Sequence, residues 1–144
     1  MSRGGAGQPE PSPGEGADHA EFDEYADDYS AGMDNPLKRL LGLDATQFIE
    51  VKVRWMQEDL ARHPLGGGRP WAGRLLDYGC GAGTLLQVLR RRGWAGPLAG
   101  CDVSRRMLAT AQDRWRDLGP EPRLEPLSGG LSPFDDESFD VIVI

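Results

Sequence analysis

Three glycines at alternate positions, Gly79, Gly81 and Gly83, follow a short apolar run ending in an acid and a tyrosine, Leu75-Leu76-Asp77-Tyr78. A helical stretch from Thr84 to Arg92 comes next. This order of strand, turn and helix predicts the first βα unit of a Rossmann-like parallel sheet. Ligands of such sheets bind outside the carboxyl ends of the strands, and glycine lets backbone approach them closely. The spacing excludes two familiar ligand loops. A dinucleotide fingerprint, G-x-G-x-x-G, begun at Gly79 and Gly81 requires its third glycine where Thr84 stands. A P-loop ends in Lys followed by Ser or Thr, and the stretch from Leu75 to Arg92 contains no lysine.

What stands instead is D-x-G-x-G-x-G, from Asp77 to Gly83. After the helix and a turn at Gly93–Pro97 comes a second apolar run, Leu98-Ala99-Gly100-Cys101, ending in Asp102. An acid at the tip of the second strand, ~20 residues past the glycine loop, is placed to accept hydrogen bonds from a ribose diol. Together the two motifs resemble those of the class I S-adenosylmethionine-dependent methyltransferases. The resemblance implies S-adenosyl-L-methionine as cofactor, with Asp77, Tyr78, Gly79, Cys80, Gly81 and Gly83 forming its loop. It implies that Asp102 takes both ribose hydroxyls and that Val103 and Met107 line the adenine. Relatives carry a Gly-Asp pair after the third strand, whose acid contacts the adenine amino group. Here Leu127-Ser128 is aligned with it, and a serine hydroxyl accepts more weakly than a carboxylate. The competing reading is that Asp77 and Asp102 only cap turns in an unrelated α/β protein.

The remaining sequence fits the same architecture. Ser104 is a good N-cap for a helix running to Leu118, closed by Gly119 and Pro120. Its Met107, Leu108, Ala111, Trp115 and Leu118 recur at helical spacing. A third strand is expected over 123–127 and a fourth over Asp140–Ile144. Strands alternating with helices predict parallel pairing, and the family order places strands 3-2-1-4 side by side. The connection from the third to the fourth spans three inter-strand gaps, roughly 14 Å, which the residues 128–139 reach easily at about 40 Å extended. The run Leu131–Asp140 is similar to the L-P-F-x-D-x-S-F-D segment that precedes the fourth strand in small-molecule methyltransferases. A full domain of that family continues past the fourth strand, so a chain ending at Ile144 is expected to be partial, lacking the C-terminal strands of the fold. The fourth strand is expected to be buried on both faces, with an outer edge open to self-association or to a partner chain that completes the sheet.

Residues 1–18 hold five glycines and three prolines with few large apolar groups, a composition of disorder. A helical cap over 19–63 follows, then a Gly/Pro-rich linker over 64–73 and the cofactor-binding half over 74–144. Within the cap, Phe22, Tyr25, Ala26 and Tyr29 share one helical face. This segment resembles the F-D-x-x-A-x-x-Y helix of the same methyltransferases, which lies over the cofactor; plain packing on the sheet is the alternative. A second helix begins near Asp44, with Phe48, Ile49, Val51, Val53, Trp55, Met56 and Leu60 on a broad apolar face. No stretch is long and apolar enough to cross a membrane, and a cytoplasmic location is the default expectation. The two cysteines make no disulfide framework, and the two histidines are isolated, so no metal site is expected.

A formal net charge of −7 argues against a nucleic-acid partner. Arg90-Arg91-Arg92 is read as a solvated face complementing its helix dipole. A methyltransferase acting on a small-molecule methyl acceptor is therefore expected. Methyl transfer from a sulfonium needs orientation and a dry pocket more than a dedicated base, so no catalytic residue is named. The alternatives are a non-catalytic cofactor-binding or interaction module completed by a partner, and a nicotinamide-dependent reductase, against which Thr84 already speaks.

Overall fold

The computed structural model describes residues 45–65, 71–128 and 132–144. The expected tail over 1–18 and the Phe22–Tyr29 helix lie outside the described residues. Within them the order is α1 (Ala45–Arg62), β1 (Leu75–Tyr78), α2 (Thr84–Arg91), β2 (Leu98–Asp102), α3 (Arg105–Asp113), β3 (Arg123–Pro126) and β4 (Val141–Val143). The four strands form one parallel sheet in the order β3-β2-β1-β4. The expected fold class and strand order are both realised. Leu75 pairs with Leu98 on one side and Val141 on the other, so β1 is central.

Side-chain alternation divides the sheet into two faces. Leu75, Leu98 and Val143 join Val53 and Leu60 of α1, Leu85, Leu86, Val88 and Leu89 of α2, and Leu108 of α3 in the larger core. Both crossover helices thus bury onto the same face, as successive crossovers in one direction require. The other face, with Leu76, Ala99 and Cys101, is covered by Leu127 and by Phe134 and Phe139 of the β3–β4 connection. The two phenylalanine rings meet edge to face at 5.1 Å, with the Arg123 guanidinium over Phe134 at 4.9 Å.

Several local expectations are corrected. The helix after Ser104 starts as expected, its hydroxyl accepting from the Met107 N–H at 3.2 Å, but it ends at Asp113 rather than Leu118. Trp115 is buried and its indole N–H donates to the Pro120 carbonyl. The backbone there tightens into bonds from Trp115 to Gln112 and from Leu118 to Trp115, three residues apart, and Asp117 takes φ of 71°. The apolar periodicity therefore continues into a turn. β4 is not buried on both faces: Val143 is buried, whereas Ile142 is 59% and Ile144 92% exposed. Ile142 stands opposite Leu76 on the face that, among the described residues, carries no helix. α1 buries a narrower stripe than expected. Ile49, Val53, Met56 and Leu60 meet the core, while Phe48, Val51 and Trp55 are exposed.

The basic run is not simply a solvated face. Arg90 turns inward, its guanidinium donating to the carbonyls of Trp94 and Gly96. Arg92 pairs with Glu50 of α1 at 2.8 Å, tying α1 to α2. Trp94 is buried, donates to the Gly73 carbonyl, and receives Trp71 edge-on at 4.7 Å. The turn between α2 and β2 is pinned from three directions. No helix among the described residues is long and apolar enough to cross a membrane.

Candidate functional site

β1 runs out at Tyr78, and the three loop glycines then take φ of 80°, 51° and 70° at Gly79, Gly81 and Gly83. That left-handed backbone strains any L side chain. The N–H groups of Gly79 and Cys80 both donate to the Cys101 carbonyl, at 2.8 and 3.0 Å, which folds the loop over the end of β2. Close approach extends to Gly100, where an added Cβ would lie 2.8 Å from the Cys80 sulfur. Gly83 is the N-cap of α2 and has no side chain to cover the start of that helix.

Asp102 closes the arrangement from β2. One carboxylate oxygen accepts from the Gly81 N–H at 2.8 Å and the other from the Ser104 N–H at 2.9 Å. A single acid thereby couples the glycine loop to the start of α3. Each carboxylate oxygen has further lone-pair capacity, so these bonds leave acceptor sites.

Above the loop lies a cavity of about 480 Å³, a size that suits a small-molecule ligand. Asp77, Tyr78, Gly79, Cys80, Gly81 and Met107 line it, with Ala82, Thr84 and Leu85 from the loop and α2. Asp102, Gly83 and half-buried Val103 stand outside the lining, Asp102 being joined to it through its bond to the Gly81 N–H. Ser128 is exposed beyond the end of β3 and is not brought to the cavity.

Asp77 is 7% exposed. Burial pushes its carboxyl up to about 6, the Lys52 ammonium opposes that rise, and the Asp102 charge adds to it. Burial also pushes the Cys80 and Cys101 thiols up. Both cysteines are free, protonated fillers rather than thiolates.

Nine lining residues were not among the expected site residues, Ala82, Thr84, Leu85 and Ile144 among them. Ile49 and Lys52 come from α1, and Arg106, Thr110 and Arg114 form a ridge at intervals of four along α3 and its end. The available signals were a lysine interrupting the apolar stripe of α1 and polar residues at one helical phase behind an acid-tipped strand. Periodicity marks the face, but only the tertiary arrangement shows that the face borders a cavity.

Residues 75–144 match the family model described as a methyltransferase domain. The chain is 37% identical over 79 residues to trans-aconitate 2-methyltransferase of Variovorax paradoxus, a match covering 55% of this chain and 27% of that protein. It is also 37% identical over 68 residues to 2-phytyl-1,4-naphtoquinone methyltransferase of a Nostoc species, covering 45% of this chain and 30% of that protein. The matches thus span less than a third of either relative. Among solved structures, an S-adenosylmethionine-dependent methyltransferase from Clostridium acetobutylicum superposes with a TM-score of 0.54 at 20% identity, covering 81% of this chain and 42% of that one. That likeness is one of fold.

Proposed function

We propose that residues 75–144, which match the methyltransferase-domain model and are similar to named methyltransferases, form the cofactor-binding part of a class I S-adenosylmethionine-dependent methyltransferase, and that the cavity over the glycine loop binds S-adenosyl-L-methionine for transfer to a small-molecule acceptor. The observation that carries the reading is the Asp102 carboxylate bonded to the Gly81 N–H at 2.8 Å. It holds an acid at the tip of β2 against a loop whose Gly79 and Gly81 have open space where a Cβ would point.

The residues present fit that cofactor. Asp102 is the acceptor for the ribose hydroxyls, with Val103 and Met107 as apolar neighbours of the base. Asp77, buried with its carboxyl pushed up to about 6 and so ionised at pH 7, favours a cationic group at the end of β1. Ser128 is the weakest member of the proposed set. The cofactor supplies an activated methyl group, and the chain's part is to orient it and exclude water. Residues 74–144 are then the cofactor-binding half, and 19–63 a cap of which α1 forms part of the cavity wall. Both named relatives act, by their names, on small molecules, which supports a small-molecule acceptor here. A chain with two protonated free thiols suits a reducing compartment, cytoplasmic in this reading.

A second reading rests on β4. The exposure of Ile142 and Ile144 leaves an apolar edge of the kind that further strands or a partner chain cover. The alternative function is a cofactor-binding module completed by another chain.

Photolabelling with S-adenosylmethionine carrying a radioactive methyl group tests the main reading. Saturable labelling of a peptide within 75–114, displaced by S-adenosylhomocysteine and not by NADH, is expected. Displacement by NADH, or labelling that does not saturate, contradicts it.

A further inference from the structure

Among the described residues three polar side chains are buried, Asp77, Ser104 and Gln87. Asp77 lines the cavity and Ser104 caps α3, which leaves Gln87 of α2 unaccounted for. It is 7% exposed and stands in sequence between Leu86 and Val88, both in the helical core. A buried amide costs desolvation unless it is bonded, a cost that leucine or methionine avoids. The Gln87 side-chain N–H donates to the Ala82 carbonyl at 3.3 Å. Only the NH2 end of an amide can bond a carbonyl, so chemistry fixes its orientation. The same peptide unit is held at its other end, where the Gly83 N–H donates to the Cys80 carbonyl at 2.9 Å. That carbonyl belongs in turn to the peptide whose Gly81 N–H donates to Asp102. Each peptide is planar, so two of them in series join Gln87 on α2 to Asp102 on β2. Gly81 and Gly83, both at positive φ, are the freest joints between them. Ties at both ends hold such a segment in one shape.

We propose that Gln87 is a positioning residue for the cavity's ligand. It stands outside the lining and acts by holding the Ala82–Gly83 peptide, so that the loop and Asp102 keep one geometry before the ligand arrives. The inference rests on the cofactor reading above for the ligand's identity, and on the bonds alone for the loop's shape. Preorganisation lowers the ordering cost of binding, so loss of the Gln87 bond shows in affinity. A glutamine kept only for packing beside Gly83, where that residue meets Ala111, shows in stability alone.

The test uses the 144-residue chain and two variants. Gln87→Met keeps the side chain's length and removes the donor; Val88→Ala is a buried change on the same helix, outside the lining. Each is titrated calorimetrically with S-adenosylhomocysteine, with and without Asp102→Ala, and amide hydrogen exchange is followed by NMR. Gln87→Met is expected to weaken binding about three- to tenfold and to speed exchange at Gly83 relative to Leu76 of β1. Once Asp102 is replaced, the same change is expected to weaken binding less than about twofold. Val88→Ala is expected to lower the unfolding midpoint and leave affinity unchanged. Unchanged affinity in a folded Gln87→Met chain overturns the proposal, as does an equal fold-loss with and without Asp102. If Gln87→Met does not fold, Gln87→Leu replaces it, and a wild-type Gly83 amide that exchanges without protection overturns the proposal with no variant at all. A wild-type chain that binds no S-adenosylhomocysteine defeats the cofactor reading instead, and Gly83 exchange in Gln87→Met then decides the Gln87 tie alone.

Discussion

At Asp77 burial and charge work against each other, and the balance is readable as stability. Its carboxyl rises from 3.8 to about 6, chiefly by burial. Between those values the folded state holds a proton that the unfolded chain has released, so stability falls as pH rises through that window and is flat above it. The Asp77 contribution amounts to about 3 kcal/mol lost between about pH 4 and pH 7. Urea titrations of the wild type and Asp77→Asn across that range measure it by difference: the variant is expected to gain relative stability as pH rises. A constant difference contradicts the assignment. The same residue is expected to make binding of a ligand with an ammonium group strengthen from about pH 5 to pH 7, as the carboxylate ionises. Gly83 offers a steric test. It combines φ of 70° with an added Cβ only 3.0 Å from the Ala111 Cβ, where α3 packs on the loop. Gly83→Ala is expected to cost about 1–3 kcal/mol, and an unchanged denaturation midpoint contradicts the loop geometry.

β4 carries the lesson at the level of elements. Its Val-Ile-Val-Ile run reads as a strand buried on both faces, but burial depends on what covers each face, and that information is not in the run itself. Val143 meets the helical core, while Ile142 faces out on the opposite side. Ile142→Thr is therefore expected to cost less than about 1 kcal/mol, whereas Leu76→Ala, beside it on β1, costs about 2–4 kcal/mol. Equal costs in urea denaturation contradict the asymmetry. The strands, the glycine loop and the Ser104 cap were legible because each rests on a local rule: alternation, positive φ, or a side chain bonding its own helix start. The end of α3 was not, since Trp115 keeps the helical phase while its ring pins a turn through Pro120. Of the site, Asp77, Asp102 and the glycines were legible as a spaced pattern. Lys52 and the Arg106, Thr110 and Arg114 ridge were not, because which face of α1 and α3 borders the cavity is decided by packing between elements remote in sequence. Ser128 was assigned by alignment to a motif, and it stands exposed just past β3, outside the cavity lining.

Across the whole molecule, two inner strands, one acid and one loop converge at the carboxyl ends of the strands, where β1 leads through the glycine loop into α2 with β2 on one side and β4 on the other. Asp102 is the hinge of this convergence, since it bonds the loop and the α3 start at once. Replacing it by alanine removes the proposed ribose acceptor together with two internal bonds, and cofactor binding is expected to weaken about 10- to 100-fold. The most direct test of the central claim is a calorimetric titration of the folded, monodisperse chain with S-adenosylhomocysteine, run beside Asp102→Ala. Saturable one-to-one binding with a negative heat-capacity change, weakened in the variant by that factor, is the predicted result. A folded wild-type chain that takes up no S-adenosylhomocysteine, or a variant that binds it equally well, contradicts the claim that the glycine loop and Asp102 build a methyl-donor site.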